Sequence, residues 1–361
     1  MSVRQGPPAS TAACSGVAVA VLVVLAHGAV GRAAPPAAPP KAPLEAAPGT
    51  QRPLSIEKGP LGVTVYARLA SAPYPHPEEP YSDDTVAIFI PSALQADGDG
   101  NLDVLLHLHG HYNNVGHVLA TQRLREQLAE TGRAPLLVLP QLPFDAEDSS
   151  PGFLGEAGGL ARLLEEVFEV VREPSVQAAL ARPTPAGARP GRVVLSAHSG
   201  GYKAAGQAAK LGGVDVSEVW LFDGLFGQSI ELGQWLAARR NEPPGPRRHR
   251  LVSYHRKNTK TADQTMLMMA SLDAAGMAYL FEKREGQATR AEFTRARVVF
   301  VRTGTLHNDA VWAGGALADA LRSGPFPELA KPRASDRRRS GVKKAAGEKA
   351  GAKTGAKTGQ R

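Results

Sequence analysis

The chain has 361 residues, a formal net charge of +8 at pH 7, 43% hydrophobic residues and a single cysteine, Cys14. Residues 331–361 hold 11 Lys or Arg against Asp336 and Glu348, a charge of +9, which leaves 31 basic and 32 acidic residues, net −1, elsewhere. The body of the chain is therefore near neutral, which argues against specific nucleic-acid binding. One cysteine excludes a disulfide framework and a cysteine metal site.

The N-terminal region contains SGVAVAVLVVLA at 15–26, preceded by Arg4 and followed by GRAAPP. This is the outline of a secretory signal peptide. An apolar run of about a dozen residues is short for a membrane-spanning helix, which needs roughly 20. Residues 1–34 are assigned to the signal, with cleavage near Ala33 or Ala34, and imply a secreted or periplasmic protein with no transmembrane span in the mature chain. An uncleaved membrane anchor is the alternative. Cys14 precedes the apolar run, so TAAC is not read as a lipidation box. Residues 35–53, rich in Pro and Ala, form an extended linker. Residues 331–361, with GEKA, GAKT, GAKT and no large apolar residue after Val342, form a basic disordered tail. It suits anionic envelope polymers; a plain solvated tail is the alternative.

Between 54 and 330 the pattern alternates. Strands are expected at 62–69, 85–92, 102–110, 135–142, 192–199, 217–225, 250–256 and 297–304. Helices are expected at 117–132, 160–173, 201–212, 230–240, 263–276 and 310–322. The strand LDVLLHLHG (102–110) is apolar enough to be buried on both faces. The pattern predicts an α/β domain: a mostly parallel central sheet of about eight strands, antiparallel at its first two, with helices on both faces. Segments 143–159, 176–190 and 280–295 are insertions, and the first of them is a candidate cover for the site. The methionines of MLMMASL (266–272) read as core filler. No phosphate-binding glycine loop or dinucleotide fingerprint is present, so no cofactor is expected.

The most informative stretch is VVLSAHSGGYKAAG (193–206). A strand runs into Ala197-His198-Ser199-Gly200-Gly201 and a helix follows. A nucleophile elbow places a serine on such a strand-to-helix turn, with small residues two before and two after it. Ala197 replaces the usual first glycine and keeps the steric condition. The helix that follows aims its positive end at Ser199, which favours an oxyanion there.

On this motif the chain resembles the α/β-hydrolases over about residues 60–325. The resemblance implies a serine hydrolase of the esterase type, needing no cofactor or metal and acting on a small or polymeric ester or an amide. Ser199 is implied as nucleophile. The loop His109-Gly110-His111-Tyr112 after the third strand matches the family's oxyanion loop, so the main-chain N–H groups of His111 and Gly200 would hold the oxyanion beside Gly110. His307, just past the last strand, is implied as the base. The acid should lie between serine and histidine in chain order. Asp223, at the end of the strand after the elbow unit, is preferred. Asp263, nearer the family's usual position, is the alternative acid, and it also reads as an N-cap. Tyr112 and Tyr202 are candidates for lining the pocket. His198 reads as a packing and hydrogen-bonding residue.

Two other readings compete. The alternating His107, His109 and His111 could bind zinc. A binding protein on a degenerate hydrolase scaffold, docked to the envelope by its basic tail, would need no triad at all.

Overall fold

A computed structural model describes residues 53–242 and 249–329. They fall within one compact unit. The expected signal, the linker up to residue 52 and the basic tail lie outside the described residues. Among the described residues no helix is long and apolar enough to cross a membrane.

Among the described residues ten strands form one sheet: β1 Pro53–Gly59, β2 Gly62–Arg68, β3 Thr85–Pro91, β4 Leu102–Leu108, β5 Leu136–Pro140, β6 Pro190–His198, β7 Val216–Phe222, β8 Arg250–Arg256, β9 Leu280–Glu282 and β10 Val298–Thr303. The helices are α1 Val115–Thr121, α2 Leu124–Thr131, α3 Gly159–Arg172, α4 Pro174–Gln177, α5 Tyr202–Leu211, α6 Ser229–Ala237, α7 Lys260–Ala274, α8 Arg290–Arg295 and α9 Ala316–Ser323.

The sheet order is β1-β2-β3-β5-β4-β6-β7-β8-β10-β9. The pairs β1–β2, β2–β3 and β3–β5 are antiparallel, and every pair from β5 to β9 along the sheet is parallel. The expected count of about eight strands is therefore two too low. β1 is a mostly exposed edge strand, PLSIEKG, whose charged residues hide its pattern. β9 has three residues and pairs only alongside β10.

Period-two alternation divides the core. Val104, Leu106 and Leu108 of β4 join a cluster with Leu163 and Val167 of α3, Ala205 of α5, Leu236 of α6 and Met268 of α7. Leu105 faces the other way, toward Val118 of α1, Leu128 of α2, Phe293 of α8 and Leu317 of α9. Each parallel strand is thus apolar on both faces because helices cover both. α3 shows the matching helical logic: Leu160, Leu163, Leu164, Val167, Phe168 and Val171 lie on its buried stripe.

Three local expectations are corrected. The helix expected over 117–132 is two helices, because Arg123 takes a left-handed φ of 50° between them. The break lets Val118 and Leu119 before it and Leu124 and Leu128 after it all face the sheet. The last helix begins at Ala316 rather than 310, since Gly314 and Gly315 at φ 76° and 81° interrupt it. The methionine stretch is only partly core: Met268 is buried, whereas Met266 and Leu267 are 46% and 59% exposed on the outer face of α7.

A buried ion pair ties the far half of the sheet together. Arg250 of β8 meets Glu218 of β7 at 3.0 Å, with side chains 0% and 5% exposed. The guanidinium also donates to the carbonyls of Ala296 and Phe293, and Trp220 Nε1 donates to the same Glu218 oxygen. Removing one partner of such a pair strands a buried charge. We expect Glu218→Ala to lower the unfolding free energy of the full chain by about 3–5 kcal/mol in urea titration. A loss below about 1 kcal/mol would mean that the neighbouring carbonyls suffice to hold Arg250.

Candidate active site

The parallel strands end at one edge of the sheet, and the loops leaving them carry the candidate residues. In open α/β sheets this carboxyl edge is where ligands bind. β6 ends at His198, a tight turn spans Ser199–Gly201, and α5 starts at Tyr202. Ser199 takes φ 49°, a left-handed conformation rare for a residue with a side chain. Its neighbours leave no room: a Cβ on Gly201 would fall 2.5 Å from Leu108 O, and one on Gly110 would fall 2.7 Å from Ser199 Cβ. A Cβ on Gly200 would overlap the His111 ring. The small residues around the serine are therefore steric requirements of the turn and of the β4 loop pressed against it.

Ser199 Oγ lies 2.8 Å from His307 Nε2, and His307 Nδ1 lies 2.7 Å from Asp223 Oδ2. The chain of hydrogen bonds is continuous. Ser199 is 8% exposed, Asp223 is 2% exposed, and the His307 side chain is 32% exposed. Asp223 follows β7 at φ 43°, with its main-chain N–H on Tyr254 O of β8 at 2.9 Å. Burial alone would raise its pKa. Hydrogen bonds from His307, from Thr261 Oγ1 (2.5 Å) and from the main chain of Arg256, with the attraction of His307, outweigh burial and hold the carboxyl below its ordinary value.

Asp263 is not brought to the site. It is exposed in the first turn of α7. Nor is it the helix cap: Thr259 caps α7, its side chain accepting from Ala262 N–H.

The three alternating histidines have separate partners. His107 accepts from Ser196 Oγ at Nδ1 and donates to Gln122 Oε1 from Nε2, both at 2.9 Å. His109 donates from Nδ1 to Gly110 O at 2.8 Å and accepts from Leu142 N–H at Nε2, 3.0 Å. It thereby ties the β4 loop to the end of β5. His111, past the strand, lies 2.8 Å from Ser149 Oγ through Nε2. Among the described residues no group of three or more His, Cys, Asp or Glu is placed to hold a metal ion.

Of the pocket candidates, Tyr202 is half-buried with its ring 6.0 Å from Phe226. Tyr112 is 61% exposed, and its hydroxyl donates to Glu147 at 2.6 Å. This bond, with Tyr112 N–H on Ala146 O, anchors the 143–150 loop beside the site.

Sequence reasoning did not single out Thr261, Ser149 or Phe226, whose ring packs edge-on against His307 at 6.1 Å. Only Thr261 had a readable signal, as a hydroxyl in the segment after β8 where the resemblance places the acid.

Sequence comparison finds no matching family model and no matching curated protein. Similar solved structures include a mutant of the feruloyl esterase module from Clostridium thermocellum complexed with sinapinate, at 12% identity and TM-score 0.42, covering 80% of this chain and 92% of that one. Another is acetyl xylan esterase from Aspergillus awamori, at 14% identity and TM-score 0.41, covering 67% and 94%. A third is an S-formylglutathione hydrolase from Staphylococcus aureus, at 11% identity and TM-score 0.41, covering 66% and 90%. The chain's own sheet crosses β4 and β5 and sets a left-handed serine on the strand-to-helix turn between β6 and α5.

Four imidazoles near this edge are held neutral. Burial, the largest cause in each case, pushes His107 down to about 3 and His109, His198 and His255 down to about 4. An unfolded imidazole takes up its proton near pH 6.5, whereas these folded ones resist until near 4. Stability is therefore full above pH 6.5 and falls as pH drops from 6.5 toward 4, by about 1.4 kcal/mol per pH unit for each histidine. Urea midpoints measured from pH 7.5 to 4.5 should drop steeply below 6.5; a flat profile would contradict the buried neutral state.

Proposed function

We propose that the protein is an exported serine hydrolase that cleaves a carboxylic ester through an acyl-enzyme. The observation that carries the reading is the unbroken hydrogen-bond chain from Ser199 through His307 to buried Asp223. Ser199 is the nucleophile, His307 the general base and acid, and Asp223 the residue that orients the imidazole. In the first step Ser199 Oγ bonds to the carbonyl carbon and its proton passes to His307 Nε2. The main-chain N–H groups of His111 and Gly200 receive the oxyanion, helped by the positive end of α5. The tetrahedral species collapses, and the leaving alcohol takes the proton from His307. Water then attacks the acyl-enzyme by the same route and releases the acid.

Several features support these roles. The left-handed φ at Ser199 is the kind of backbone strain that persists where a site requires it. Asp223 can accept from His307 Nδ1–H, which fixes the tautomer that leaves Nε2 free to take the serine proton. Gly110 brings the β4 loop into van der Waals range of Ser199. The pair Tyr202–Phe226 forms an aromatic wall on the side of the base, which suits an apolar substituent on the substrate. Export rests on the signal-like segment 1–34, and retention at anionic envelope polymers on the +9 tail.

A fluorophosphonate probe should label the wild-type protein and fail on Ser199→Ala. Asp223→Asn should lower kcat toward ester substrates by about 10⁴-fold, the effect of leaving a triad histidine in the wrong tautomer. Asp263→Asn should act like wild type. Equal losses in the two Asp variants would reject the assignment of the acid, and an unlabelled, well-folded wild type would reject the hydrolase reading itself. For the aromatic wall, Phe226→Ala should raise KM for an aryl or long-chain ester several-fold more than KM for an acetate ester. Parallel changes for both substrates would remove Phe226 from the binding surface.

A further inference from the structure

His198 stands directly before the nucleophile, yet its side chain is used elsewhere. It is 3% exposed, and its Nε2 lies 2.8 Å from the main-chain carbonyl oxygen of His307, 109 residues away. A carbonyl accepts only, so Nε2 carries the proton and Nδ1 carries the lone pair. Nδ1 is buried and has no hydrogen-bond partner. The two imidazole rings also pack against each other, 5.1 Å between centroids.

The segment that carries His307 needs an external hold. In 304–309 the residues Gly304, Leu306 and Asn308 are exposed, and Leu306 is 64% exposed. The other main-chain hydrogen bonds of this segment are local: Thr305 N–H to Thr303 Oγ1, Asp309 N–H to Leu306 O, Ala310 N–H to His307 O and Trp312 N–H to Asp309 O. Among the described residues, His198 supplies the one side-chain donor from outside this corner that fixes the segment's main chain. The ring of His307 must meet Ser199 and Asp223 at once, at 2.8 and 2.7 Å. A displacement of about 1 Å at such a centre costs about 100-fold in rate.

We infer that His198 is a positioning residue, whose Nε2–H pins the His307 main chain to the base of the elbow and so sets the imidazole between Ser199 and Asp223. Ser199 and the anchor for its base then come from adjacent residues of one strand end, so the two cannot drift apart independently. The residue must donate from inside the protein without bringing a charge, which an imidazole kept neutral by burial does. Leaving Nδ1 unpartnered is a cost that packing does not explain, and it follows once the ring's orientation is dictated by the donor on its far side. The inference rests on the proposed use of His307 as base.

The test compares His198→Leu, His198→Gln and His198→Asn in the full chain. Leucine keeps the bulk and removes the donor. A glutamine amide reaches the place of Nε2, whereas an asparagine amide reaches only that of Nδ1. Leucine and asparagine should lower kcat and the fluorophosphonate labelling rate by about 10- to 100-fold with KM within about twofold, and glutamine should restore most of the loss. A readout independent of turnover is the slowly exchanging Nδ1 proton of His307 in NMR, which should persist in wild type and His198→Gln and be lost in His198→Leu. Wild-type kcat and an unchanged proton signal in His198→Leu would overturn the inference while leaving the hydrolase reading intact. Equal losses in folded glutamine and asparagine variants would overturn it too, because donation from the Nε2 place would then be irrelevant, and that comparison decides the matter if the leucine variant does not fold. A wild type inert to the probe, with the His307 proton still dependent on residue 198, would reject the hydrolase reading and leave the positioning role standing.

Discussion

Everything at the carboxyl edge depends on one backbone constraint: Ser199 is held left-handed on a turn with no spare volume. Leu108 O presses on Gly201, Gly110 on the serine itself, and the His111 ring on Gly200. The strain is not confined to the serine. Tyr112, Asp145, Asp223 and Asn258 also take positive φ, each on the loop that leaves β4, β5, β7 or β8. Left-handed non-glycine residues cost free energy and persist only where the surroundings over-determine them. Here the surroundings are parallel strands buried on both faces, whose ends cannot relax without disturbing two core layers. The rigid sheet thus sets the loops in conformations that an isolated segment would not hold.

Electrostatics follows from the same burial. The interior beneath the site admits imidazoles only in the neutral form, so each must divide its nitrogens into one donor and one acceptor. His109 donates to Gly110 O and accepts from Leu142 N–H, which fixes the loop beside Ser199. His107 joins β4 to β6 through Ser196 and to the end of α1 through Gln122. Asp223 is the ionised group of the chain that reaches Ser199, and it stays ionised because three donors converge on it. One carboxylate amid oriented neutral dipoles is an environment that stabilises an imidazolium formed beside it and leaves little to reorganise when that charge appears.

Much of this was legible in the sequence, for identifiable reasons. Six of the eight expected strands, β4 to β8 and β10, announce themselves because doubly covered parallel strands are near-continuous apolar runs, as in Leu102–Leu108. β1 was illegible because an edge strand in water needs no apolar face: Glu57 and Lys58 are exposed. The break at Arg123 and the late start of α9 depend on tertiary packing, and neither Arg123 nor a glycine pair in AGGALADALR dictates it locally. At the site, Ser199 and Gly110 were legible because steric requirements leave a composition, small residues at fixed offsets. His307 followed from its place after the last strand. Phe226, Ser149 and the tie from His198 left no such trace, since each acts on a residue distant in sequence.

The choice between two carboxylates shows where sequence reasoning reaches its physical limit. Asp223 and Asp263 lie in the same chain order relative to Ser199 and His307, and only the geometry of strand ends separates them. β7 and β8 are neighbours in the sheet, and Asp223 N–H is bonded to Tyr254 O of β8. The carboxylate therefore sits between the two strand ends and receives Thr261 from the β8 side and His307 from beyond it. Here the end of β7 brings Asp223 to that point, the segment after β8 contributes a hydroxyl and a main-chain donor to it, and Asp263 is left exposed on the first turn of α7, where it is a surface residue. The point beside His307 Nδ1 is filled by the carboxylate that the strand geometry brings there, which chain order alone does not single out.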